Sequence, residues 1–140
     1  MAEVLVIDDG RKQYEIRNKK GELLGELSFN PSDTNMIKRY DEVIANINRL
    51  TEKIPNDAKI DEALKIAESE IAEQVNYLFG ENVAETFFNI TGPLSPLASG
   101  RFFFEVALDV VAKAIEKETG SRMQRANAKI NKYAAKYKHA

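Results

Sequence analysis

The side chains that could carry covalent or acid–base chemistry are sparse and poorly placed for it. The single histidine, His139, is the penultimate residue, where chain ends fray and cannot hold the geometry that proton transfer requires. There is no cysteine, which removes thiolate nucleophiles, thiolate metal ligands and disulfides together. Asp8-Asp9-Gly10 lacks the further, evenly spaced oxygen ligands of a calcium loop and reads as a hairpin turn. Glu68, Glu70 and Glu73 sit near Lys65 and Gln74 on the polar side of an amphipathic pattern, which reads as a solvated face. The glycines form neither a GxGxxG nor a P-loop: Gly92 and Gly100 bracket a Pro-containing loop that no Lys-Ser or Lys-Thr follows. The sequence therefore predicts no catalytic residue, no cofactor, no metal and no enzyme.

Chemistry of association is better supplied. Leu94-Ser95-Pro96-Leu97 runs into Phe102, Phe103 and Phe104, three adjacent rings opening a helix. Successive helical residues turn by about 100°, so the triplet spreads around the helix and one core cannot easily absorb all of it. These five apolar residues, Leu94, Leu97, Phe102, Phe103 and Phe104, are the expected partner-binding set, since apolar surface beyond what a core covers marks interaction sites; the competing reading makes the rings mainly core, with one of them and Leu94 or Leu97 reaching a partner or a second copy. A second feature is electrostatic. Six of the 20 Lys and Arg, and none of the 22 Asp and Glu, lie from Ser121 onward. Arg122, Arg125, Lys129, Lys132 and Lys136 flank a narrow stripe of Met123, Ala126, Ile130, Tyr133 and Tyr137. This basic helix is expected to dock on the acidic remainder of the chain. The alternative is contact with an acidic protein surface or with nucleic acid, for which the cations suffice to neutralise phosphates but no helix-turn-helix precedes them.

The elements that position these groups follow from periodicity. Val4 to Asp8, Gln13 to Arg17 and Leu23 to Phe29 are short runs bearing Val, Ile, Tyr and Leu, the middle one alternating in the manner of a strand, and are separated by Asp9-Gly10 and by Asn18-Lys19-Lys20-Gly21, predicting a three-stranded meander. Asn30 and Pro31 supply a helix start, with Ile37, Tyr40, Ile44, Ile47, Thr51 and Ile54 as its apolar stripe, widened by Val43 and Leu50, up to Pro55. Asp57 opens a second helix carrying Ile60, Leu64, Ala67, Ile71, Val75 and Leu78, stopped by Gly80, and the pair should run antiparallel. Asn82 to Glu85 has capping-box spacing before a brief helix through Phe87 and Phe88. Arg101 to Thr119 predicts a central, most buried helix closed by Gly120, and Ser121 begins the last one. The fold class is α+β, predominantly helical, in one domain: residues 1–29 a β-meander, 30–120 a helical body, 121–140 the basic helix.

Hydrophobic residues make up 44% of the 140 and charged ones 30%, the composition of a soluble domain able to bury its own core. The apolar run near the N-terminus is too short for a secretory signal and no segment has membrane-spanning length, so a reducing cytoplasm is expected and no membrane partner.

Taken together, FNPSDTNMIKRYDEV and FFNITGPLSPLASGRFFFEVALDVVAKAIEKETG resemble a group of small prophage proteins from Gram-positive bacteria that look like tail assembly chaperones of long-tailed phages. The resemblance spans most of the chain and contains no catalytic signature. It implies a non-enzymatic, mostly helical protein of the bacterial host cytoplasm. Such a protein binds the tape measure protein, keeps it soluble during tail assembly and is absent from the mature virion. The tail tube protein is a further candidate partner, a homo-oligomer is compatible, and nucleic acid is the alternative partner rather than the expected one.

Overall fold

The computed structural model describes the backbone of residues 1–138 and the side chains of residues 1–128. Two antiparallel strands, β1 (Lys12–Arg17) and β2 (Leu23–Phe29), precede the helices α1 (Thr34–Asn48), α2 (Ile60–Phe79), α3 (Ala84–Phe88) and α4 (Phe103–Lys138), with a 3-10 turn at Leu50–Lys53. The fold is α+β and predominantly helical, as the sequence implies.

The hairpin closes where Asn18 and Gly21 predict. Gly21 takes φ 84° and donates its N–H to the Asn18 carbonyl, while the Asn18 side chain accepts from the N–H groups of Lys20 and Glu22. Pairing of Tyr14 with Leu27 and of Ile16 with Gly25 puts Tyr14, Ile16, Leu27 and Phe29 on the inner face. A Cβ at Gly25 would stand 3.3 Å from Thr86 Cγ2, so the missing side chain lets α3 approach the sheet.

The expected meander is corrected to this hairpin. Val4 to Ile7 form no strand and remain 80–92% exposed. The Asp8-Asp9-Gly10 segment is accordingly no hairpin turn: the carboxylates of Asp8 and Asp9 accept from the N–H groups of Gly10 and Arg11. These local bonds compete with a strand ladder for the same donors.

Helix α1 starts at Asp33, whose side chain accepts from Asn35 N–H, three residues later than Asn30 suggested. Asn30 instead builds the preceding turn, accepting from Ser32 N–H. Of the stripe, Val43 and Leu50 are buried, joined by Met36, whereas Ile37 and Ile44 are 38% and 36% exposed. Bonds from Arg39 to the Leu78 carbonyl and from Asn46 to Gln74 fix α1 antiparallel to α2. Helix α2 runs from Lys59, which caps in place of Asp57, to Gly80 at φ 72°. Its first turn lies outside the core, with Ile60 89% exposed.

The core has two contiguous parts. One joins Phe29, Met36, Val43, Val75, Leu78 and Phe79 with Phe87, Leu108, Val111 and Ile115; the other joins Leu50, Ala67 and Ile71, with Ile54, Phe88, Leu94 and Phe104 packed against it. Helix α4 touches both, yet it is not buried around its girth, since Val110 is 59% exposed. Nor does Gly120 close it. A single 36-residue helix passes through Gly120 and Ser121, because a helical glycine costs only about 1 kcal/mol and strong helix formers flank it.

Candidate protein-binding surface

The loop ahead of α4 is held from several sides. Glu68 on α2 accepts the N–H of Leu94 at 3.1 Å, so this carboxylate is a loop tether rather than part of a solvated face. Glu70 is likewise engaged, by Lys53 at 2.6 Å; only Glu73 of the three points freely outward. Pro96 bridges Phe102 antiparallel across a turn in which Gly100 adopts φ 85°. Phe103 and Phe104 donate their N–H groups to the carbonyls of Ser95 and Pro93. Asn76 supplies a constraint that sequence spacing did not reveal: its side-chain oxygen accepts from both Val83 and Ala84, capping α3 from another helix. Asn82 and Glu85 form no capping box; Val83 holds the cap position without a side-chain bond.

This scaffold splits the phenylalanine triplet. Phe103 turns toward the first core cluster and meets Phe88 edge-on, ring centroids 6.3 Å apart. Phe104 packs against both clusters, and Phe102 stacks over it at 6.3 Å while staying 39% exposed. Leu94 packs against the second cluster, and Leu97 is half-buried in the turn. Of the five expected residues, Phe102 is therefore the most open and Leu94, Phe103 and Phe104 are partly committed to packing.

Two clefts flank α4. One, of about 440 Å³, lies against α1 and is lined by Tyr40, Ile44, Ile47, Phe104 and Leu108 with Arg101, Glu105 and Asp109 on its rim. Arg101 reaches Asp109 at 3.8 Å and Lys113 reaches it at 3.2 Å, so the rim carries both signs. Burial, and then the carboxylates of Asp109 and Glu116, push the Tyr40 phenol above its ordinary pKa, leaving a neutral hydroxyl in the cleft at neutral pH. The other cleft, of about 320 Å³, separates β1 from α4 and is walled by Tyr14, Ile16, Leu27, Phe103, Ala107 and Val110.

The basic helix divides at Arg122. That guanidinium donates to Asn30 Oδ1 at 2.8 Å, Ser32 Oγ at 2.6 Å and the Gly10 carbonyl at 3.0 Å, and stands 3.4 Å from Glu118. It is thus an anchor to its own chain. Beyond it, residues 123–128 are exposed, Met123 by 53%, so the expected docking of this stretch on the acidic body is corrected to a helix leaving the body. Arg125 bonds only one turn back, to Ser121. Lys129, Lys132 and Lys136, with Ile130, Tyr133 and Tyr137, lie outside the described side chains, and His139 outside the described residues.

Among the described residues no group of three or more His, Cys, Asp or Glu could hold a metal ion, and no helix is long and apolar enough to cross a membrane. No family model, curated protein or solved structure matches the chain.

Proposed function

We propose that this protein is a non-enzymatic tail assembly chaperone that holds amphipathic helices of a tape measure protein until tail tube subunits enclose them, acting in the host cytoplasm and leaving before the virion is complete. One observation carries the reading. The α1–α4 cleft has an apolar floor of Ile44, Ile47, Phe104 and Leu108, with Phe102 stacked on Phe104, and a charged rim of mixed sign. An amphipathic helix recognises such a floor through anchors at i, i+3 or i+4 and i+7, and its flanking charges pair with the rim. Ile44, which lines the cleft, and Ile37, on the same helix outside it, are the part of the α1 stripe that the core leaves over.

The test is co-expression with a coiled-coil tape measure fragment. The fragment stays soluble and co-purifies with the wild-type chain, and Phe102→Asp loses it while far-UV circular dichroism is unchanged. Salt-sensitive retention of duplex DNA, lost in Lys129→Glu with Lys132→Glu while the fragment remains insoluble in the presence of either protein, would replace this reading by the nucleic-acid one. Arg122 weighs against that alternative, because its charge is spent on Asn30, Ser32, Gly10 and Glu118.

A further inference from the structure

Residues 2–7, Ala-Glu-Val-Leu-Val-Ile, contain four consecutive large apolar side chains. Val4, Leu5, Val6 and Ile7 are 85%, 86%, 92% and 80% exposed, an arrangement that water opposes wherever a partner exists. The same chain holds a vacancy of matching kind. Among the described residues the sheet consists of the pair β1–β2, so the outer backbone edge of β1 has no strand beside it there, and such edges are templates for an added strand.

The cleft between the sheet and α4 adjoins that strand. Tyr14, Glu15, Ile16 and Arg17, four consecutive residues of β1, line it together with Leu24, Leu27 and Phe29 of β2. It therefore opens over the inner face of the hairpin and extends to β1, where a strand added beside β1 would place its inward side chains. At its far end Lys12 joins Glu118 across the gap at 3.2 Å. The opposite wall is apolar, from Phe103, Ala107, Val110 and Ala114 along one side of α4.

We infer that the segment Glu3–Ile7 of a second copy of this chain adds to the β1 edge as an antiparallel third strand and fills this cleft. One register satisfies pattern and charge together. With Val4 opposite Ile16 and Val6 opposite Tyr14, both valines face the cleft, Glu3 falls beside Arg17 and Asp8 beside Lys12. Opposite charges across a pair support that register. Its own chain does not deliver the segment there. The root of the arm is turned aside by the bonds of Asp8 and Asp9 to Gly10 and Arg11, and held by Arg122 at the Gly10 carbonyl. The segment is not seated on its own β1, since Val4 to Ile7 stay exposed, and an unseated element of this kind is open to exchange between copies. The inference does not rest on the proposed client, whose cleft lies on the other side of α4.

The absence of cysteine makes the test clean. A copy bearing Leu5→Cys is mixed with one bearing Glu15→Cys; both positions are exposed, so folding is spared. Oxidation is expected to give a disulfide-linked pair of the two different copies, and light scattering to give a wild-type mass above that of one chain. Val6→Asp or Val110→Asp, both at exposed positions, weakens self-association by more than about tenfold. An equimolar mixture of these two variants recovers part of it, because the intact arm of one meets the intact cleft of the other. A wild-type chain that is monomeric at high micromolar concentration, or a disulfide forming within the doubly substituted chain while mixed copies fail to cross-link, overturns the inference.

Discussion

The middle of α2 and the arm before β1 are built from the same kinds of side chain and meet opposite fates. Ile71, Val75 and Leu78 are 0–3% exposed, held between α1, α3 and α4 in the two core clusters. Val4 to Ile7 are 80–92% exposed. Helical spacing gives the first group one face and an adjacent helix to cover it, with Gly80 and Asn76 fixing the end. The arm is a short unbroken apolar run with no helix to give it one face, so its cover must come from an element some distance along the chain or on another molecule. Apolar character says that a residue will be buried; it does not say by whom.

The sharpest way to break the contrast is truncation on each side. Leu78→Ala should destabilise the folded chain by about 2–5 kcal/mol, as a cavity among well-packed neighbours does. Val6→Ala should leave the monomer unchanged within about 0.5 kcal/mol; urea unfolding below the association range measures both. A large loss at Val6 under those conditions would mean that the arm packs on its own body after all. Arg122→Ala should cost about 2 kcal/mol, the scale of hydrogen bonds from a charged group, by the same titration. Asn76→Ala should cost about 1–2 kcal/mol by leaving the donors of Val83 and Ala84 without their acceptor, with hydrogen exchange rising first in α3.

Gly120→Ala should stabilise by up to about 1 kcal/mol, since a Cβ there meets nothing within 4 Å and its φ is not positive; thermal unfolding reads the gain. The smallest effect is electrostatic. The hydrogen bond from Lys12 holds the Glu118 carboxyl below its ordinary pKa. A carboxyl whose folded pKa is lowered adds stability above its unfolded value, and that contribution disappears as pH falls through the folded one. Glu118→Gln should therefore flatten stability against pH on the acid side and leave the slope above neutrality unaltered.

Legibility in the sequence followed the same divide. The Asn18–Gly21 turn, α2 with its Gly80 stop and the antiparallel α1–α2 pair are local signals, and each was readable. What failed required knowledge of a distant group. Asp33 and Asn30 are equally good caps by type, and only Arg122 and Ser32 engaging Asn30 decide between them. Glu68 looked like solvent-facing charge because Leu94, whose N–H it accepts, is 26 residues away. The α1 stripe was wider than its core needed, so which of Met36, Ile37, Val43 and Ile44 would be inside depended on how α2 and α4 sat. For the candidate surface, the phenylalanine triplet announced shared duty; that Phe102 would be the ring left open depended on the turn from Pro96 to Arg101.

Arg122 grips the carbonyl of Gly10, the turn at Asn30 and Ser32, and its own helix near Glu118. The arm departs from one side of that grip and the remainder of a helix about 54 Å long from the other. Both headings are thus set by one planar ion, like two spokes from a hub. Copies joined arm to sheet would inherit the same angle at every step, so the pitch of any resulting array would be written in the hub rather than in the surfaces that touch.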